Sequence, residues 1–186
     1  MLIRIAPSMF CDERYECVTI QEVFKEIFQT QKFKAKYPWR KRYKDKIKVL
    51  GTSHVKKGDF ELHLTTIKNI TNTGITNNRT GHFFNLSHID QVVVACAIAH
   101  NLKLTTVDSD LKDFIVQEFS GETISPLCII NDWLENELIE WGDGLQTIID
   151  DWDKCNEAPQ PKNEIRRFEN LTGFKYTGPI EKRRSK

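Results

Sequence analysis

Short apolar, β-branched segments alternate with segments of helical period along the first two-thirds of the chain. That alternation predicts an α/β fold, with a central parallel sheet of four or five strands and helices on both faces, over residues 1–128. The stretch from Ser87 to Thr106 supports it, since an apolar helix with a start signal runs directly into a short strand. After residue 128 the pattern changes to an apolar helical stripe with acids opposite, which predicts a helical C-terminal extension over 129–186.

In chain order, Leu2-Ile3-Arg4-Ile5-Ala6 is an apolar run ended by Pro7 and reads as a first buried strand. Glu16 to Ile20 is β-branched enough for a second strand. Val23, Phe24, Ile27 and Phe28 then recur at helical spacing from Gln21 onward. Phe60 to Ile67 alternates like an edge strand, and residues 68–85, rich in Asn, Thr and Gly, read as a loop. Ser87 and Asp90 have capping-box spacing before a helix that ends near Asn101. Leu102 to Thr106 is a strand, residues 111–119 a helix, and Thr123 to Ser125 a strand stopped by Pro126. Ile130, Trp133, Leu134, Leu138 and Trp141 form the stripe of the extension, and a basic tail closes it at 182–186.

Composition narrows the function classes. Of 186 residues, 39% are hydrophobic, ample for a core, and the net charge is +1, so only local clustering points to partners. Five cysteines without a CxxC pair suit packed, reduced thiols and a cytoplasmic protein. No apolar run reaches the roughly 18–20 residues that span a bilayer, and no signal-peptide core is present, so a membrane role is not expected.

Chain geometry ties three acids together. A helix of about 11 residues from Asp90 runs roughly 17 Å away, and the following strand returns over a comparable distance at about 3.3 Å per residue. Asp90 is therefore expected beside Asp108 and Asp110, at the strand ends where parallel α/β sheets bind ligands. Clustered carboxylates select a hard cation, Mg²⁺ or Mn²⁺, and such a site suits phosphodiester hydrolysis. The plainer alternative is that Asp90 caps its helix and that Asp108 and Asp110 form the next turn.

Leu86-Ser87-His88-Ile89-Asp90-Gln91 through Ala99, followed by Leu102 to Leu111, resembles the (S)xxDxxIxAxAxxxxxxLxTxDxDF block of PIN-domain ribonucleases. Val18 to Ile27 is similar to that family's TxxVxxEI block, so the resemblance covers about residues 2–126. It implies a metal-dependent endoribonuclease that holds one or two Mg²⁺ or Mn²⁺ ions on Glu26, Asp90, Asp108 and Asp110. Glu22 is the alternative to Glu26. The family's first strand ends in an acid where Ala6 stands here. Substitution by Asp12, an Asp→Ala change, or a catalytically silent RNA-binding or scaffold module would each account for that departure. The family also implies an antitoxin-like inhibitor as a partner.

Between Lys32 and Lys48 lie nine basic residues and one acid, with Phe33, Tyr37, Trp39 and Tyr43 interleaved. A surface that tracks phosphates and stacks bases needs this composition, and Lys36, Arg40, Lys41 and Arg42 are the expected RNA contacts. The stripe Trp133, Leu134, Leu138 and Trp141 is expected to serve as core or as a homodimer contact.

Overall fold

The computed structural model describes residues 2–10, 17–50, 57–155 and 157–181. Helix dominates it: α1 (Leu2–Ile5), α2 (Gln21–Gln29), α3 (Gln31–Lys36), α4 (Lys57–Asn72), α5 (His88–Ala99), α6 (Ser109–Phe119), α7 (Pro126–Glu135), α8 (Asp143–Asp150) and α9 (Lys162–Thr172). Two 3₁₀ segments, Pro7–Phe10 and Pro38–Lys46, join them. The only sheet among the described residues is the parallel pair β1 (Val18–Thr19) and β2 (Lys48–Val49), in register Val18 to Lys48.

The central parallel sheet flanked by helices is therefore not the architecture; the chain is mostly helical. Its sequence signal was ambiguous. Leu2, Ile5, Ala6 and Met9 recur at i, i+3, i+4 and i+7, and all four are buried, so the run read as a first strand forms a helical turn instead. Phe60, Leu64 and Ile67 likewise follow i, i+4, i+7 within α4. Leu64 and Ile67 are buried, whereas Leu62, which made the segment alternate, is 64% exposed. Strand runs this short make few ladder bonds unless several pair side by side, and a helix closes its own backbone bonds. Of the strands expected at 102–106 and 123–125, a single parallel bridge between Leu104 and Thr123 remains, with α6 as the crossover between them.

The chain divides into two compact units, the first made of Met1–Cys17, Ala35–Ile47 and Ile124–Lys186, the second of Val18–Lys34 and Lys48–Thr123. This interleaving differs from the division at residue 128 read from the sequence. The basic tail at 182–186 lies outside the described residues. No helix among the described residues is long and apolar enough to cross a membrane.

In the first unit, Leu127, Ile130 and Trp133 of α7 pack with Ile165 and Phe168 of α9, and with Ile149 and Trp152. Leu2, Ile5, Ala6 and Met9 join this cluster. α7 ends at Glu135, so Leu138 and Trp141 reach the core from the loop beyond; the Trp141 ring meets Phe168 edge-on at 4.8 Å. The start of α7 shows how its unsatisfied N–H groups are met. Pro126 has none, Ser125 Oγ accepts from Cys128 N at 3.1 Å, and the fully buried Gln160 accepts from Leu127 N at 3.0 Å. Gln160 also donates to the Ala158 carbonyl and pairs through its backbone with Pro179 and Glu181. Arg167 of α9 binds α7 by ion pairs to Asp132 (2.7 Å) and Glu135, with Glu164 at 3.3 Å.

The second unit packs α4 against α5, with Ile67, Val94, Ala95, Phe114 and Ile115 at its centre. Phe84 and Phe114 meet edge-on at 5.1 Å.

Two outcomes are expected in denaturant titrations. Gln160→Leu leaves the Leu127 N–H and the Ala158 carbonyl buried without partners, and should lower stability by about 2–4 kcal/mol. The hydrogen bond from Arg167 is the main cause that holds the Glu135 carboxyl below the usual glutamate range. A depressed carboxyl stabilises the fold above its ordinary value, and that contribution disappears as pH falls through the depressed value. Stability of the native chain should therefore fall on acidification more steeply than that of Arg167→Met.

Candidate functional site

Three of the four acidic candidates, Asp90, Asp108 and Asp110, sit at helix starts, and the local chain shows why. Ser87, with extended backbone, precedes α5; its Oγ accepts from Asp90 N at 3.2 Å. Asp90 Oδ2 accepts in return from Ser87 N at 2.9 Å and from Ser87 Oγ at 2.6 Å, which completes the capping box expected from the sequence. Asp108 caps α6, its Oδ1 accepting from Asp110 N (2.8 Å) and Leu111 N (3.1 Å). Each carboxylate thus commits one oxygen to backbone donors.

Asp110 has a partner that the sequence pattern does not reveal. Residues 75–84 fold into a hairpin-like loop, closed by Asn77 N to His82 O (2.8 Å) and Phe84 N to Ile75 O (3.1 Å). The Asn77 side chain, only 1% exposed, points into α6: its Nδ2 donates to Asp110 Oδ1 at 3.3 Å and to Asp113 Oδ2 at 2.8 Å. Its Oδ1 accepts from Arg79 N at 2.8 Å, and the Arg79 guanidinium pairs with Asp113. Gln117 completes the clamp with bonds to Asn78 N and Thr76 O. The available signal was Arg79, the single cation in a loop of amides, and the pair Asp110 and Asp113 one turn apart on α6.

Glu26 lies half-buried on α2 and makes no side-chain hydrogen bond or ion pair among the described residues. Glu22, one turn earlier, is near enough to α5 for its charge to act on Cys96. That thiol is pushed up to about 11, chiefly by burial and then by Glu22. Ala6 belongs to the apolar core of the first unit, whereas Glu26, Asp90, Asp108 and Asp110 belong to the second. Asp12 lies outside the described residues. Among the described residues, no three His, Cys, Asp or Glu side chains form a group that could hold a metal ion.

The basic candidates form a continuous strip. Pro38 opens a 3₁₀ segment that runs to Lys46, with Tyr37 at its cap. The rings follow one another: Tyr37 to Trp39 at 5.6 Å, Trp39 to Tyr43 at 5.9 Å. Each ring carries a cation, Lys36 over Tyr37 at 5.1 Å, Arg4 over Trp39 at 5.4 Å and Arg42 over Tyr43 at 5.8 Å. Lys41, Arg42, Lys44 and Lys46 are exposed, and Asp45 is the one acid of the segment. Arg40 departs from the expected surface role: it is buried, 4% exposed, and its Nη1 donates to the Tyr37 carbonyl at 3.1 Å.

The four described thiols are all held above the ordinary cysteine range. Burial pushes Cys17 up to about 11 and raises Cys128 and Cys155 as well.

The Asn77 clamp has a direct test. Asn77→Asp places a third, buried carboxylate against Asp110 and Asp113 and should cost about 2–4 kcal/mol at pH 7. Its folded carboxyl is raised, so the penalty exists above the ordinary aspartate range and should fade as pH is lowered toward about 4. Thermal melts of both forms from pH 4 to pH 8 read this, and parallel curves would remove the clamp from the account.

No family model, curated protein or solved structure matches the chain, so its likeness to PIN-domain ribonucleases rests on the two sequence blocks alone.

Proposed function

We propose that this protein binds single-stranded RNA along the strip Lys36–Lys46. The observation that carries the reading is the row Tyr37, Trp39, Tyr43, each ring paired with a cation, beside the exposed Lys41 and Arg42. Half-exposed rings accept any base by stacking, and cations at the rim neutralise phosphates, so the arrangement favours single strands over duplex. Cations already held over rings lose little freedom when a strand arrives, which favours binding.

A second reading is Mg²⁺- or Mn²⁺-dependent hydrolysis of the bound RNA. What favours it is the pair Asp108 and Asp110, two residues apart at the start of α6 and just beyond the bridge of Leu104 to Thr123.

Anisotropy titrations with a labelled single-stranded RNA test the first reading. Trp39→Ala should weaken binding by about 1–3 kcal/mol if one base stacks there. The double change Lys41→Ala, Arg42→Ala should flatten the salt dependence by about 0.7 in log–log slope for each phosphate that is no longer neutralised. Binding that ignores both salt and these changes sinks the proposal. The same RNA, incubated with Mn²⁺, Mg²⁺ or EDTA and run on a gel, addresses the second reading. Cleavage should need the metal and vanish in Asp108→Asn, and intact RNA under every metal leaves binding as the sole activity.

A further inference from the structure

Among the described residues, Arg40 has no counter-charge. Its side chain is buried, and with Nη1 bonded to the Tyr37 carbonyl, Nε and Nη2 have no hydrogen-bond partner. No carboxylate among the described residues pairs with it. A guanidinium removed from water without a counter-ion is strongly unfavourable, so the site has a standing demand for an anion. The two unpartnered nitrogens lie on the same edge of the group. Nε–H and Nη2–H form the side-on fork that takes two oxygens of one carboxylate or phosphate. The Tyr37 bond holds the guanidinium by its other nitrogen and leaves that fork open.

The surroundings choose between those anions. Lys36, Lys41 and Arg42 stand within four residues in sequence, and the segment holds one acid, so a doubly charged group is favoured over a carboxylate. Burial chooses further. A strand passing over the surface cannot bring an internal phosphodiester to a side chain that is 4% exposed, whereas a group at the end of a strand can enter. Entry requires the cover to yield, and a 3₁₀ run of nine residues is long for a geometry with poor hydrogen bonds. Such a segment opens locally at low cost, and an anion that binds the open form shifts the population toward it.

We infer that Arg40 is the receptor for a terminal phosphomonoester of the RNA strand that the aromatic strip holds. The inference rests on the RNA-binding reading and adds end recognition to it. The 5′ and 3′ phosphates share this chemistry, so one oligonucleotide is compared in three forms: 5′-phosphate, 3′-phosphate and hydroxyl at both ends. The full chain is measured by anisotropy, and its thermal midpoint is followed with inorganic phosphate. One phosphorylated form should bind about tenfold tighter than the hydroxyl form, the scale of one charge-assisted bidentate contact. Arg40→Lys keeps the charge but lacks the fork, and Arg40→Met removes the buried ion without leaving an unpaired partner, so both should fold. Both should abolish the preference while binding hydroxyl-ended RNA as before. Inorganic phosphate should raise the midpoint of the native chain and leave that of Arg40→Met unmoved.

Equal affinity for all three RNA forms overturns the inference and leaves RNA binding standing. A preference that survives in both Arg40 variants also overturns it, because another cation then reads the end. If hydroxyl-ended RNA fails to bind while phosphate stabilises the native chain and not Arg40→Met, the strip reading falls and the phosphate receptor stands.

Discussion

Helix ends govern this molecule. Nearly all its regular backbone is helical, and every α-helix leaves N–H groups at its start and carbonyls at its finish without partners inside the helix. Few ladders exist among the described residues to take up these groups, and at three helix starts side chains do it: Ser87 and Asp90 for α5, Asp108 for α6, Ser125 and Gln160 for α7, whereas α2, α8 and α9 have no side-chain cap. Two of the four carboxylates that would make a metal site, Asp90 and Asp108, therefore hold helix starts in place. A capping carboxylate is bound to amide donors through one oxygen and keeps lone pairs on the other, so the two roles compete without being exclusive. In the second unit the same use of side chains extends to Asn77, whose single amide makes two hydrogen bonds to α6 and accepts two from its own hairpin.

Charge is sorted locally, although the total is almost zero. The first unit holds both the basic strip at 36–46 and the stretch 129–153, with eight acids and no Lys or Arg. Arg167 and Arg4 come from outside that stretch to neutralise Asp132, Glu135 and Asp151. Within the strip Asp45 is the one acid, and among the described residues the buried Arg40 is held by a backbone carbonyl alone. An overall charge of +1 conceals both facts, which is why net charge is a poor guide to partners here.

The parts legible in the sequence are those where a local rule decides by itself. The Ser87–Asp90 box, α5, α6 and the basic–aromatic run all follow from spacing within a few residues. What escaped depends on partners distant in sequence. Leu2–Ile5 and Phe60–Ile67 carry apolar residues that satisfy a period of two and a period of 3.6 alike, and only packing against other elements chooses. The burial of Arg40 is equally invisible, since a cation among eight others reads as solvated surface. Asn77 was hidden for the opposite reason: amides are expected in loops, and nothing nearby in sequence shows that one of them lies against a helix some 30 residues on.

The first unit draws its core from pieces far apart along the chain. Leu2, Ile5 and Met9 close on the same cluster as Ile165, Phe168 and Tyr176, whereas the second unit uses one nearly unbroken stretch, with 35–47 looped out of it. On a ribosome adding about 5–20 residues per second, these two arrangements mature at different moments. The 18–123 unit has its whole core available while the polypeptide is still growing. The early residues of the other must wait, apolar and uncovered, for helices made some 150 residues later, and joining ends so far apart carries a loop-closure cost that grows only as the logarithm of the separation. Premature release or a pause in that interval would expose Leu2 to Met9 as a sticky segment, so this amino-terminal turn is where chaperone engagement should concentrate.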